Sequence, residues 1–186
     1  METFVQWELG ILHQIQDGAT AFGDVFWTVI TYFGESGIFW ILLSITLMMF
    51  QKTRRCGMTM GIALLLGLIL GNGVMKNVFA RPRPYHLDPT LSFRLLWSEM
   101  STDFSFPSGH TLASFEAATS IFLYYKKWGI ATLSFATLIG ISRIFLLVHY
   151  PSDVLAGALF GILFAVGASF VAKNLYFILK QKFVNF

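Results

Sequence analysis

Apolar residues in this chain gather into long runs separated by short polar islands, and most runs have the length a helix needs to enter or cross a bilayer. Residues 1–23 are the exception. Glu2, Glu8, Asp17 and several Gln make them too polar to span. Phe4, Val5, Trp7, Leu9, Leu12 and Ile15 nevertheless recur at roughly helical spacing, which predicts an amphipathic helix lying at the membrane interface. Residues 25–33 are apolar but short, and Gly34-Glu35-Ser36-Gly37 breaks the run, so a shallow helix is expected there. The first full span runs from Ser36 to Phe50, about 15 residues, and needs a locally thin bilayer or flanking support.

Gln51-Lys52-Thr53-Arg54-Arg55 closes that span, and a second runs from Gly57 to Val78. Its glycines (57, 61, 67, 71 and 73) permit close helix contacts. A loop rich in proline and mixed charge follows from Arg81 to Phe106. Further spans are expected from Ser108 to the Tyr124–Trp128 region, from Gly129 to Val148, and from Ser152 to Ala172. The expected architecture is an all-α polytopic membrane helix bundle of five spans, with residues 1–35 as an N-terminal interfacial segment of a single 1–186 domain. If residues 1–33 insert instead, the count becomes six and the N-terminus changes sides.

Composition agrees with a membrane protein: 55% of residues are hydrophobic and only 12% charged, about half the share usual in soluble proteins. The single Cys56 excludes an internal disulfide, and no zinc-type ligand spacing occurs. The first 51 residues hold no Lys or Arg, so no basic start of a secretory signal is expected. Basic residues scattered between apolar runs argue against nucleic-acid binding. No obligate protein partner is implied.

The charges sort by side. Lys52, Arg54, Arg55, Lys126, Lys127, Lys173, Lys180 and Lys182 occupy the connections after the first and third spans and the tail, with no acidic residue among them. Glu2, Glu8, Asp17, Asp24, Glu35, Asp88, Glu99, Asp103 and Asp153 fall on the other side. The positive-inside rule then puts the basic connections and C-terminus in the cytoplasm, and the N-terminus and the Arg81–Phe106 loop outside a cell membrane.

Three polar islands fall on that outer side: Lys76 to Pro84, Pro107-Ser108-Gly109-His110, and Ser142 to Asp153. Charges in apolar surroundings are costly, and they need partners and usually a function. Lys76, Arg83 and Arg143 are cations suited to a compact polyanion such as phosphate. Arg81 and Arg94 are read equally well as headgroup anchors. The Pro-Ser-Gly-His island opens a helix, where free N–H groups and the dipole favour an anion. Asp153 is placed to orient His149, leaving one imidazole nitrogen as nucleophile or base. Paired with His110, this suits a two-step transfer in which one histidine attacks and the other moves protons.

Lys76 with Arg83-Pro84, then Pro107-Ser108-Gly109-His110, then Ser142-Arg143 with His149 and Asp153 resembles the type 2 phosphatidic acid phosphatase family, in order and complete over residues 76–153. The resemblance implies a lipid phosphatase needing no metal or other cofactor. It implies His149 as the nucleophile forming a phosphohistidine, Asp153 orienting it, and His110 as general acid. Lys76, Arg83, Ser108, Gly109 and Arg143 would hold the phosphoryl oxygens. Its implied substrate is a lipid phosphate or diphosphate: undecaprenyl diphosphate, phosphatidylglycerophosphate or phosphatidic acid. Two positions depart from the pattern. Leu147 stands where many relatives carry glycine, which would crowd the site or its lipid entrance. Glu116 lies in the third span, where relatives are more often apolar, and is read as a buried hydrogen-bonding residue rather than a substrate contact. The residues also fit a non-enzymatic phosphate-lipid binding or transport protein, or a phosphotransferase to another acceptor.

Overall fold

The computed structural model describes residues 2–97 and 100–182, all of whose regular elements are helical. Glu99, counted above with the outer acidic residues, lies outside the described residues. Helix α1 (Glu2–Asp17) is followed by α2 (Ala21–Tyr32), whose first turn is capped by Thr20, with Oγ1 accepting from the Gly23 N–H at 3.1 Å. A 3-10 turn (Glu35–Gly37) with φ of 49° at Ser36 and 66° at Gly37 separates α2 from α3 (Ile38–Met49). The expected break is there: α2 and α3 are two apolar helical segments of 12 residues each, joined across this turn.

Helix α4 (Arg54–Leu66) passes without interruption into a π-helical stretch (Gly67–Met75) and a last turn, α5 (Lys76–Phe79). The Arg81–Phe106 loop carries one short helix, α6 (Pro84–Leu87), and is pinned at its base by the Ser105 N–H donating to the Arg81 carbonyl at 2.8 Å. Helices α7 (Gly109–Tyr124), α8 (Lys126–Phe145) and α9 (Pro151–Lys182) complete the bundle.

Among the described residues, four helical stretches are long and apolar enough to cross a membrane: Ala21–Met49, Arg54–Leu87, Lys126–Phe145 and Pro151–Lys182. The expected third span, α7, has 16 residues and forms the centre of the bundle, packed against α4, α8 and α9. Its surroundings explain its polarity: Thr111, Ser114, Glu116 and Ser120 face other helices rather than lipid. Small residues bring the helices together. A Cβ on Gly157 would lie 2.8 Å from the Ser108 carbonyl oxygen, and one on Gly161 2.7 Å from that of Leu112, so α9 can seat on α7 only with glycine at both positions.

Two helix ends differ from the sequence expectation. Helix α8 stops at Phe145 rather than Val148, because the Arg143 carbonyl accepts from both the Val148 and His149 N–H groups (3.1 and 3.3 Å) and folds the chain back. Helix α9 continues ten residues past Ala172, since Lys173, Lys180 and Lys182 do not interrupt a helix and stay exposed on it.

The bundle has two chemically distinct ends. At one, the Tyr125 hydroxyl donates to the Lys52 carbonyl (2.7 Å) and the Arg55 guanidinium lies over the Tyr176 ring (4.9 Å). At the other, α1 lies over the Arg81–Phe106 loop, with His13 Nε2 2.9 Å from Asp88 and Gln16 donating to the Thr90 carbonyl. Arg94 binds Asp24 through two nitrogens (2.8 and 2.6 Å) and so ties α2 to the same loop. The three polar islands are at this second end.

Candidate active site

Fold-back of the chain after α8 is what delivers His149. Arg143 anchors the last turn of that helix, and residues 146–150 turn inward with Leu147 at φ 59°. Pro151, preset for a first helical turn, then starts α9 and brings Asp153 round beneath the imidazole. His149 is almost fully buried, with its Nδ1 side facing Asp153 and its Nε2 side facing Arg83. Nδ1 is 3.5 Å from Asp153 Oδ2, too far for a good direct hydrogen bond. The Ser105 hydroxyl lies between them, 3.2 Å from Nδ1 and 2.5 Å from Oδ2.

Arg83, at the start of α6, donates from Nη1 to the Val148 carbonyl at 3.1 Å, and the same nitrogen is 3.5 Å from His149 Nε2. Arg143 is buried in the last turn of α8; its Nη1 donates to Thr31 Oγ1 at 2.7 Å, and its Nε has no acceptor among the described residues. Lys76 comes from the turn that ends the long α4–α5 path. The first intrahelical bond of α7 runs from the Leu112 N–H to the Ser108 carbonyl (2.9 Å), so the earlier N–H groups at Gly109 and His110 are not used by the helix. Lys76, Arg83, Gly109, His110, Arg143 and His149 all line one cavity of about 1180 Å³.

Two of the residues named from sequence stand behind that cavity. Asp153 is enclosed below His149. Ser108 is fully buried, its hydroxyl accepting from Thr111 Oγ1 at 3.0 Å and its N–H donating to the Asp153 carbonyl at 3.1 Å. Ser108 therefore joins α7 to α9 in this structure rather than facing the cavity.

Burial pushes the His149 imidazole well below its ordinary pKa, and the positive charges of Arg83, Arg143 and Lys76 push the same way. It is neutral at pH 7, with a lone pair available. The Asp103 carboxylate answers the cations: it bonds Lys76, both the Nε (3.1 Å) and Nη2 of Arg83, and the Ser101 hydroxyl. Burial opposes its ionisation, yet these bonds and the Arg83 charge hold it below the usual carboxylate range. An anion thus already sits on the cationic face of the site, supplied by the chain itself.

Several participants were not singled out in the sequence. Glu35, in the turn between α2 and α3, has Oε2 3.2 Å from His110 Nε2, within reach of a hydrogen bond from an N–H there. Arg81 is no headgroup anchor: Nη1 reaches Asp153 Oδ1 (2.6 Å) and Ser152 Oγ (2.7 Å), Nη2 reaches Glu8 Oε2 (2.5 Å), and the guanidinium stacks on Tyr150 at 3.8 Å. Glu8 is wholly buried and also accepts the Ser152 N–H at 2.8 Å. A faint signal existed, for Glu8 shares a helix face with Leu12 four residues on, which marks that face as the buried one. Leu147 packs with Leu9, Leu12 and Leu91 under α1, so it crowds neither the cavity nor its entrance.

Away from the cations the cavity continues between α3 and α4, past Ile41, Leu64 and Leu68, to Met48. Glu116 lines this part, buried against the backbone of Gly67 where the π-helical stretch begins; any side chain at Gly67 would collide with its carboxyl group. The whole is an anion pocket with an imidazole at its wall, continued by an apolar groove.

The chain is similar to proteins of known kind on both sequence and structure. It is 37% identical over 124 residues to an undecaprenyl-diphosphatase of Sulfolobus acidocaldarius, covering 66% of this chain and 58% of that protein. It is 41% identical over 117 residues to the bacitracin transport permease protein BcrC of Bacillus licheniformis, covering 63% and 56%. The chain thus matches somewhat over half the length of these curated relatives. The crystal structure of Aquifex aeolicus LpxE superposes with a TM-score of 0.71 at 30% identity, over 86% of this chain and 93% of that one. The family model of the PAP2 superfamily matches residues 56–176, from the start of α4 well into α9 and across all three polar islands, and the chain belongs to that superfamily.

Proposed function

We propose that the protein is a metal-independent membrane lipid phosphatase acting through a phosphohistidine on His149. The observation that carries this reading is the pairing of a neutral, buried imidazole with Lys76, Arg83 and Arg143 on one cavity that runs on into an apolar groove. A lipid phosphate entering there places its chain in the groove and its phosphoryl oxygens among the cations, so charge developing at phosphorus is met by side chains already in place. His149 Nε2 attacks phosphorus. The N–P bond forms as the bond to the leaving oxygen breaks, and that oxygen takes its electron pair and a proton from His110. Water then gives its proton back to His110 and attacks phosphorus, the N–P electrons return to Nε2, and inorganic phosphate departs.

Among lipids, undecaprenyl diphosphate is favoured by the name of the Sulfolobus relative, an undecaprenyl-diphosphatase, with phosphatidylglycerophosphate and phosphatidic acid as the other candidates. Charge segregation along the sequence supports an active site opening on the outer face of the membrane, with the C-terminus cytoplasmic. The transport reading has one observation in its favour, the name of the Bacillus relative; it gives no role to the Asp153–His149 pairing. Phosphate release by the purified protein in detergent and EDTA, with the three lipids offered side by side, separates the readings. Release that survives EDTA and falls by at least about 10³-fold in His149→Ala is expected. Tight lipid binding without release from any of the three would favour transport.

A further inference from the structure

Between Asp153 and His149 the structure places a third group, and proton counting gives it a definite task. The Ser105 hydroxyl is fully buried and carries one proton. Asp153 Oδ2, 2.5 Å away, is an acceptor, so the hydroxyl donates there and can only accept from the imidazole Nδ1 at 3.2 Å. Nδ1 therefore bears the proton of the neutral ring, and Nε2, on the side of the Arg83 guanidinium, is left with its lone pair. A direct Asp153–His149 bond would give the same tautomer, but at 3.5 Å it is not made.

Asp153 is itself fixed on every side that does not face Ser105. Oδ2 also accepts the Tyr150 N–H at 3.0 Å, and Oδ1 receives Arg81 Nη1 at 2.6 Å. Ser105 is equally constrained, since its N–H closes the base of the Arg81–Phe106 loop on the Arg81 carbonyl. One loop thus delivers both the cation that holds the carboxylate and the hydroxyl that links it to the ring.

We infer that Ser105 is a positioning residue, which carries the hydrogen bond from His149 Nδ1 to Asp153 and so sets the tautomer that leaves Nε2 free to attack. The inference rests on the reading of His149 as nucleophile. Ser105 touches neither the cavity nor a substrate bound in it, so its loss acts on the chemical step and not on binding.

The test is a double-mutant cycle on phosphate release from undecaprenyl diphosphate or, if that lipid is not turned over, from whichever of the other two is. Ser105→Ala, which removes one oxygen and no packing volume of consequence, is expected to lower kcat about 10- to 100-fold with KM unchanged. Ser105→Thr, which keeps the hydroxyl, is expected to recover most of the loss; if the added methyl unfolds the buried site, the cycle alone decides. In the Asp153→Asn background, Ser105→Ala is expected to cost little more, because both changes break one chain of bonds. A Ser105→Ala enzyme with wild-type kcat overturns the inference, as does a loss that multiplies fully with that of Asp153→Asn. An active His149→Ala enzyme would instead sink the nucleophile assignment, a separate outcome read in the same assay.

Discussion

At Leu147 the backbone enters the left-handed region, where a side chain costs roughly 1–2 kcal/mol relative to glycine. The same side chain is completely buried among Leu9, Leu12 and Leu91, and burial of a leucine is worth about 1.5–3 kcal/mol. The two effects are of similar size and opposite sign, which explains how leucine is accommodated at a position whose geometry suits glycine. Asp103 poses the opposite case, a residue whose interactions are individually favourable but compete with the substrate. Its carboxylate sits on Lys76 and Arg83, where a phosphoryl group would bind. Asp103→Asn is expected to lower KM severalfold and tighten binding of inorganic phosphate, as measured by steady-state kinetics and product inhibition. A raised KM would mean instead that Asp103 holds the two cations in place for the substrate.

Among the helices, α1 matters more than an interfacial anchor would. Through Glu8 it completes a chain of buried charges, Glu8–Arg81–Asp153, that ends under the imidazole. Surface ion pairs contribute little, but removing one partner of a buried pair costs about 3–5 kcal/mol because the other charge is left uncompensated. Arg81 keeps Asp153 and some solvent access, so the lower end of that range applies. Glu8→Gln is therefore expected to lower the thermal midpoint in detergent and to reduce kcat through the loosened Asp153, whereas Asp17→Asn, on an exposed position of the same helix, should change neither. Equal effects from the two substitutions would show that α1 acts only by its apolar face.

The elements show where sequence reasoning stops. The amphipathic pattern of residues 4–15 placed α1 on a surface, and the Gly34–Gly37 break fell where the chain turns. Periodicity says which face is apolar but not which partner a single polar residue on that face will meet, so Glu8 was grouped only by charge. The π-helical stretch over Gly67–Met75 was invisible for a related reason: it preserves the apolar run and changes only the register, which depends on the packing of α7 and on Glu116 against Gly67. Helix α7 read as a span from its length and apolar content; its small polar residues are the trace of burial at the centre of the bundle.

For the whole molecule, the three polar islands converge on one end of the bundle as their spacing suggested, with Lys76, Arg83, Gly109, His110, Arg143 and His149 on a common cavity. The order of motifs was legible because each requires particular residue types at a helix end. The groups that connect them were not. Ser105, Arg81 and Asp103 are ordinary loop residues in sequence, and only the closing of the Arg81–Phe106 loop brings them to the site, while Glu35 reaches His110 from the turn between α2 and α3. The bundle is a scaffold in the strict sense: glycine-mediated packing of α9 on α7 sets the distance between Asp153 and the Pro107–His110 island, and the fold-back after α8 sets the imidazole into the space between them.

The most direct measurement is a single turnover of lipid labelled with ³²P in the phosphoryl group that is released, quenched in alkali before hydrolysis is complete, with the label mapped on the protein. Transient label on His149, stable to base and labile to acid, absent from His149→Ala and decaying at the rate at which phosphate appears, is the result expected. Full turnover with no label on protein, or with label on another residue, would contradict attack by His149.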